Sequence, residues 1–380
     1  MEMNNPKRDA LHMRMALSLA LRGTGRVSPN PLVGCVVADS CGVVGLGYHA
    51  EVGSAHAEAV ALERAAERAR GATLYVNLEP CRHHGRTPAC APRIIAAGAA
   101  RVVAGMADPD PRMSGGSFSM MREAGIEVVQ GVLEERCRQV NRGFISRLER
   151  SRPWVTLKGA MTLDGNMAMP SGESRWISNS SSRVRSHLLR AANDAVMVGI
   201  GTVSADDPLM TVRDTAGSDP IAVVLDPSLR ISPSAKLARE GTVILYSRKP
   251  SEGKMRCLEE KGCILYSVDA DPKGRPLLEN VLGKLAERGV NRLLVEGGPG
   301  ILGSFLTRRL FDDVMLFVSP RFSGRGHGIG EGFVLERLAD SIGVRVASAR
   351  HLEGDLWLEG VNPCSLDWLK IGRASCRERV

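Results

Sequence analysis

Aromatic residues are scarce in this chain, with four Trp, four Tyr and seven Phe among 380 residues. Lys and Arg outnumber Asp and Glu and give a formal charge of +8, but they are dispersed among acids rather than massed in one run. A basic, aromatic-bearing groove for nucleic acid is therefore not expected. Long apolar runs are also missing. No stretch approaches the roughly 20 residues of a membrane span, and residues 1–9 carry no apolar signal segment. The nine cysteines show no disulfide-scaffold spacing, which suits a reducing compartment. These absences point to a cytoplasmic protein with neither membrane nor nucleic-acid partner. The length favours two domains over one. Residues 371–380 resemble the translation of a common sequencing adapter and are set aside as a non-native tail. Without its three Arg and one Glu the charge falls from +8 to +6.

What is present centres on His56-Ala57-Glu58, taken together with Pro80-Cys81 and Cys90. One imidazole and two thiols make three ligands for zinc and leave a tetrahedral position open, as catalytic sites require. Glu58, two residues past His56, is placed to move protons without ligating. Zinc-lowered water acidity plus a proton-carrying carboxylate is the machinery of hydrolytic deamination of an amino-substituted base ring. The usual deaminase signature separates its cysteines by three positions; here they stand nine apart, across Cys81-Arg-His-His-Gly-Arg-Thr-Pro-Ala-Cys90. A structural zinc would instead recruit a fourth protein ligand, for which His83 and His84 are the candidates.

The local patterns predict α-β-β-α-β-α-β-α-β for the first half. A helix runs through Met13, Ala16, Leu17 and Ala20, and strands cover Leu32–Ala38 and Val43–Tyr48. A helix follows from Ala55, then a strand from Thr73, and a helix after Pro88. Pro92 requires that last helix to begin late or with a distorted first turn. A polar, Pro-punctuated stretch places a linker at 147–152, between domains at 1–146 and 153–362. In the second domain strands are expected at 154–158, 195–199, 221–226, 242–246 and 292–296, and helices at 179–191 and 277–288. Ser323–Gly332 is so rich in glycine that a mobile loop is expected. In Val295-Glu-Gly-Gly-Pro-Gly-Ile-Leu-Gly-Ser304 a strand runs through glycines into a helix, where backbone N–H groups can close on a phosphate, although taken alone Gly-Gly-Pro-Gly is more often a plain turn.

Ser28-Pro-Asn-Pro-Leu-Val-Gly, Gly47-Tyr-His, His56-Ala-Glu and Leu78-Glu-Pro-Cys through Cys90 together resemble one family. It is the bifunctional deaminase/reductase of riboflavin biosynthesis. Ser171-Gly-Glu-Ser-Arg-Trp-Ile-Ser, Val198 to Arg213 and Val295 to Ser304 match its reductase half. The resemblance implies an α/β protein with an N-terminal cytidine-deaminase-like three-layer α/β/α domain and a C-terminal dihydrofolate-reductase-like α/β domain. It implies zinc on His56, Cys81 and Cys90, Glu58 as the catalytic group, and Asn30, His49, His83 and Arg86 on the deaminase substrate. NADPH would lie along Ala160, Trp176, Thr202, Asp206 and the turn Gly298-Pro299-Gly300-Ile301-Leu302-Gly303-Ser304. Lys158, Ser174, Arg190, Met210, Arg213 and Glu296 would surround the phosphoribosylamino substrate of the reductase, with Arg190 and Arg213 suited to phosphate. Homo-oligomers through the reductase half are also implied. A deaminase carrying an inert reductase-like domain is the alternative reading.

Overall fold

The computed structural model describes residues 5–83 and 88–371. It divides into two compact units, Met1–Arg150 and Ser151–Val380.

The first unit begins with α1 (Pro6–Ala20), capped by the Asn5 side chain on the N–H groups of Lys7 and Arg8. There follow β1 (Gly34–Asp39), β2 (Gly42–Tyr48), α2 (Ala57–Ala65), β3 (Thr73–Val76), α3 (Cys90–Ala96), β4 (Arg101–Ala104), α4 (Gly116–Glu123), β5 (Glu127–Gln130), α5 (Glu134–Val140) and α6 (Arg142–Arg150). The sheet order is β2-β1-β3-β4-β5. β1 runs antiparallel to both neighbours, and β3, β4 and β5 are parallel. Ala57, Ala61 and Ala65, four residues apart, put small side chains along one stripe of α2, against Cys35 and Val37 in the core. Gly45 and Gly47 let that stripe come close, since a Cβ at Gly47 would strike the Ala57 carbonyl oxygen. On β1, a Cβ at Gly34 would strike the Ala16 carbonyl oxygen of α1 in the same way. Helices thus lie on both faces of the sheet. α3 starts at Cys90, so Pro92 is its third residue, where an N–H has no intrahelical acceptor to lose.

Around the expected linker the chain stays helical to Arg150, and only three residues separate α6 from β6 (Trp154–Thr162). The second unit continues with β7 (Asn166–Ala168), α7 (Ser180–Ala191), β8 (Ala195–Gly199), α8 (Ile200–Asp206), β9 (Ile221–Leu225), β10 (Val243–Tyr246), α9 (Glu252–Glu260) and β11 (Ile264–Ser267). Then come α10 (Leu278–Glu287), β12 (Arg292–Glu296), α11 (Pro299–Thr307), β13 (Asp313–Ser319), β14 (His327–Gly328), β15 (Arg345–Leu352), β16 (Asp355–Val361) and α12 (Pro363–Ile371). Nine strands form one sheet, β11-β10-β9-β8-β12-β6-β13-β16-β15. It is parallel from β11 to β13, and β16 and β15 close it antiparallel. Alternate strand residues serve opposite faces. Met197, Val223, Leu245 and Leu293 pack with Val281, Leu285 and Phe305, whereas Val196, Val224, Ile244 and Leu294 pack with Val203 and Leu258.

Ser323–Gly332, expected as a mobile loop, is tied down instead. β14 pairs with β7, Asn166 Nδ2 donates to the Ser323 hydroxyl and the Gly324 carbonyl, and Ile329 lies over Gly159. Its glycines permit close approach: a Cβ at Gly326 would crowd the Ala168 carbonyl. No helix among the described residues is long and apolar enough to cross a membrane.

Candidate active sites

In the first unit, His56 is the residue capping α2 and Cys90 is the first residue of α3. Cys81 follows β3 by five residues and reaches the same point. His56 Nδ1 is 3.5 Å from Cys81 Sγ and 3.3 Å from Cys90 Sγ, and the three donor atoms lie within 4.8 Å of one another. A tetrahedral zinc with bonds of about 2.0 Å to nitrogen and 2.3 Å to sulfur needs donor separations of this size. The Cys90 N–H donates to Cys81 Sγ at 3.3 Å, so the start of α3 favours a thiolate there. Cys81 is pulled down to about 4, first by the Cys90 thiol and then by His56. Cys90 is pushed up by the same sharing and by burial. Donors that compete for protons at one point are donors that a cation would satisfy together. Among the described residues the cluster has three members, as many as a catalytic zinc takes from its protein. His83 is exposed and outside the cluster; His84 and Arg86 lie outside the described residues.

Glu58 sits in the first turn of α2, buried, and burial pushes its carboxyl up to about 7. That is the range for a group that both takes and returns a proton at neutral pH. Asn30 and His49 come together, with Asn30 Nδ2 3.1 Å from His49 Nε2. The tautomer with the proton on Nδ1 accepts from Asn30 and donates to the Ala55 carbonyl at 3.3 Å. Burial lowers the His49 pKa and keeps it neutral. Its ring meets that of His56 edge-on, at 5.6 Å between centroids.

Sequence reasoning passed over three residues that shape this site. Asn77 bridges the Leu32 carbonyl and the Gly34 N–H, and Asn141 bridges both backbone groups of Leu32. Together they fix the turn that carries Asn30. Glu79, buried, accepts from the N–H groups of Asp108, Gly115 and Ser117 and from the Ser117 hydroxyl. Glu79 stood inside the motif Leu78-Glu-Pro-Cys; its distant partners had no local signal.

In the second unit, Lys158 on β6, Arg190 on α7 and Glu296 on β12 form one ion network. Arg190 grips Glu296 through two bonds, 2.7 and 2.9 Å, and Lys158 Nζ is 3.7 Å away. Burial alone would raise Glu296, but the Arg190 and Lys158 cations outweigh it and hold it at about 2. Arg190 also donates to the Thr211 carbonyl. Its guanidinium is thus committed within the protein, and of the two arginines expected on phosphate Arg213 is the more exposed. Met210, buried with φ +54, turns the chain toward Thr211 and Arg213.

The expected dinucleotide residues fall into two groups. Thr202 Oγ1 accepts from the Gly298 N–H at 2.9 Å, joining α8 to the start of α11; Gly298 caps that helix and Pro299 to Ser304 form its first turns. Arg175 donates to the Asp206 carbonyl and pairs with its carboxylate, which ties the Trp176 segment to the end of α8. Trp176 is 65% exposed, with the Arg183 guanidinium over its ring. Ala160, opposite Phe317 in β13, and Ser174 are half-buried. Among the described residues, no hydrogen bond joins Ser174 to the Lys158–Arg190–Glu296 network.

Residues 153–353 match the family model described as RibD C-terminal domain. Residues 6–106 match that of the cytidine and deoxycytidylate deaminase zinc-binding region. The chain is 47% identical over 367 residues to the riboflavin biosynthesis protein RibD of Synechocystis sp., covering 96% of each. It is 43% identical over 351 residues to its namesake from Aquifex aeolicus, covering 92% of this chain and 97% of that one. Among solved structures, Acinetobacter baumannii RibD (form 1) superposes with a TM-score of 0.87 at 33% identity, covering 94% and 99% of the two chains. A diaminohydroxyphosphoribosylaminopyrimidine deaminase/5-amino-6-(5-phosphoribosylamino)uracil reductase from Thermotoga maritima gives 0.83 at 33% identity, covering 94% and 100%.

Proposed function

This chain belongs to the RibD family, the bifunctional deaminases and reductases of riboflavin biosynthesis, and we propose a substrate, a cofactor and a set of residues for each of its two steps. The first unit would hydrolyse the 2-amino group of 2,5-diamino-6-(5-phosphoribosylamino)pyrimidin-4(3H)-one. The second would reduce 5-amino-6-(5-phosphoribosylamino)uracil to its ribitylamino form with NADPH.

In the deaminase, His56, Cys81 and Cys90 hold the zinc, which when bound lowers the pKa of water and so provides a nucleophile at neutral pH. Glu58 takes the proton released as water adds to the ring carbon and gives it to the amine that leaves as ammonia. Asn30 and His49 orient the pyrimidine; binding the ribose phosphate is the role proposed for His83 and Arg86. The observation that carries this reading is three donors at one point beside a buried carboxyl at about 7.

In the reductase, Ala160, Trp176, Thr202, Asp206 and Gly298 to Ser304 line the dinucleotide, whose nicotinamide supplies the hydride. Lys158, Ser174, Arg190, Met210, Arg213 and Glu296 bind the substrate, with Glu296 and Arg190 bracing one another and Arg213 meeting the phosphate. The start of α11, with no side-chain cap of its own, supports a phosphate there. Copies of the chain pair through this unit. β15 is an edge strand with Val346 61% exposed, and Phe322, Val334 and Leu338 are exposed in the same unit. A cytoplasmic location accords with cysteines that are free among the described residues.

The test supplies the diaminopyrimidinone with NADPH, with NADH and with neither, and follows ammonia and nucleotide oxidation. Ammonia in every arm, with oxidation only after deamination and faster with NADPH, is the expected result. Ammonia with no oxidation would leave the second unit inert. No ammonia from folded, zinc-loaded protein would defeat the deaminase assignment.

A further inference from the structure

His187 has no place in the two steps above, yet it sits beside the reductase network, at the same Thr211 carbonyl that Arg190 holds. It lies on α7 three residues before Arg190, on the same face, and is 6% exposed. Nδ1 is 3.1 Å from the Thr211 carbonyl oxygen and is also 3.3 Å from the N–H of Arg213. Nε2 is 3.2 Å from Asp214. The two Nδ1 contacts need opposite states of one atom, because an N–H donor serves Thr211 and a lone pair serves Arg213. A neutral ring with its proton on Nε2 bonds Asp214 and accepts from Arg213. A protonated ring bonds Asp214 and Thr211, a carbonyl that Arg190 already holds, and releases Arg213.

We propose that His187 is a positioning residue of the reductase, a clasp whose protonation sets where Arg213 stands and so how firmly the substrate phosphate is held. The proposal rests on the reading of Arg213 as the phosphate contact. The charged groups facing the ring are Arg190 on α7, Arg213 and Asp214 on the following segment, and Glu296 behind Arg190. Burial first, then Arg190, lowers the pKa of His187, while Asp214 opposes both. The neutral, Arg213-holding state therefore prevails at pH 7, and the clasp opens on acidification.

The full-length enzyme tests this through reductase KM and kcat for the phosphoribosylaminouracil across pH. In the wild type KM is expected to rise about five- to tenfold as His187 protonates, the size of one lost hydrogen bond, with kcat changing less than twofold. His187→Gln is expected to lose that step while keeping the step due to the substrate's own phosphate, which both enzymes share. Asp214→Asn, at a half-exposed position, is expected to move the step to lower pH and serves if the Gln variant folds poorly. Deaminase rate in the same chain and KM for NADPH should stay constant. A His187→Gln enzyme with the wild-type KM profile overturns the clasp, as does a loss in kcat alone. Arg213→Gln separates the two readings. If it leaves KM unchanged, Arg213 is not the phosphate contact and the clasp falls with it. If it raises KM while His187→Gln does not, only the clasp is wrong.

Discussion

The two units build their sites in different ways from similar material. Each is a helix-covered sheet, yet the deaminase cluster is held by backbone approach and the reductase cluster by charge. His56 and Glu58 are placed by α2, which lies on β2 because Ala57 and Ala61 meet Gly45 and Gly47 with no side chain between. Lys158, Arg190 and Glu296 come from three elements spread over 139 positions (158 to 296, inclusive) and are held mainly by one another. The first site is fixed by packing and is completed by an ion; the second carries its own buried counter-charges. One should therefore fail when its ligand set or its packing is disturbed, and the other when its charge balance is.

Metal removal gives the largest contrast. Chelation, or Cys90→Ser, is expected to abolish ammonia release and lower the melting temperature of the first unit, leaving nucleotide oxidation with the uracil substrate intact. Loss of both activities on chelation would show that the units are not independent in this respect. Glu58→Gln comes next. It should keep zinc by metal analysis and lose about 10²- to 10⁴-fold in deamination rate, the usual span for a proton carrier. Its reductase rate should match the wild type.

The same contrast explains what could be read in advance. The α-β-β-α-β-α-β-α-β order of the first unit was legible because its strands and helices have clear periods and glycine stops, and its chemistry falls in short motifs. His56-x-Glu58 needs one helix start, and Cys81 and Cys90 flank one loop. In the second unit β7, β11, β13, β14, β15 and β16 went unread. β15 is exposed along nearly its whole length, so it lacks the alternation that marks a half-buried strand. Lys158, Arg190 and Glu296 were found only through family resemblance, since no spacing rule joins residues on a strand, a helix and a distant strand. Arg190 was expected on phosphate, but its bond to Glu296 is invisible without the fold. His187 had a signal, its three-residue offset from Arg190, and nothing local to give that offset meaning.

Glu296 is where the reductase side of the comparison is most exposed to test. Glu296→Gln leaves Arg190 and Lys158 buried without their counter-charge, which should destabilise the second unit by about 3–5 kcal/mol, read as a fall in its unfolding midpoint. The pH dependence follows from the sign of the shift. The carboxyl is held at about 2 against an ordinary 4.5, so its contribution is complete above 4.5 and is lost as pH falls from there toward 2. Wild type and variant should differ most near neutral pH and converge in acid. A gap that does not narrow on acidification would mean that packing, not charge, holds this network.

Gly47→Ala is the corresponding test of packing on the other side, with a smaller expected effect. The added methyl must displace the Ala57 carbonyl at the start of α2, one residue from His56 and from Glu58. Overpacking of this kind costs about 1–3 kcal/mol, so the first unit should still fold and its midpoint should drop modestly. Activity should suffer more than stability does, because a shift of about 1 Å at a reacting group can cost a hundredfold in rate. The expected signature is a deaminase rate reduced more than tenfold, zinc bound less tightly, and reductase kinetics unchanged. Gly42→Ala on the same strand supplies the contrast: its Cβ meets nothing within 4 Å, but the φ of +135 strains any other residue. That variant should lose stability without losing deaminase rate. If both glycines behave alike, the site does not depend on how closely α2 lies against β2, and the contrast between a packed site and a charged one fails.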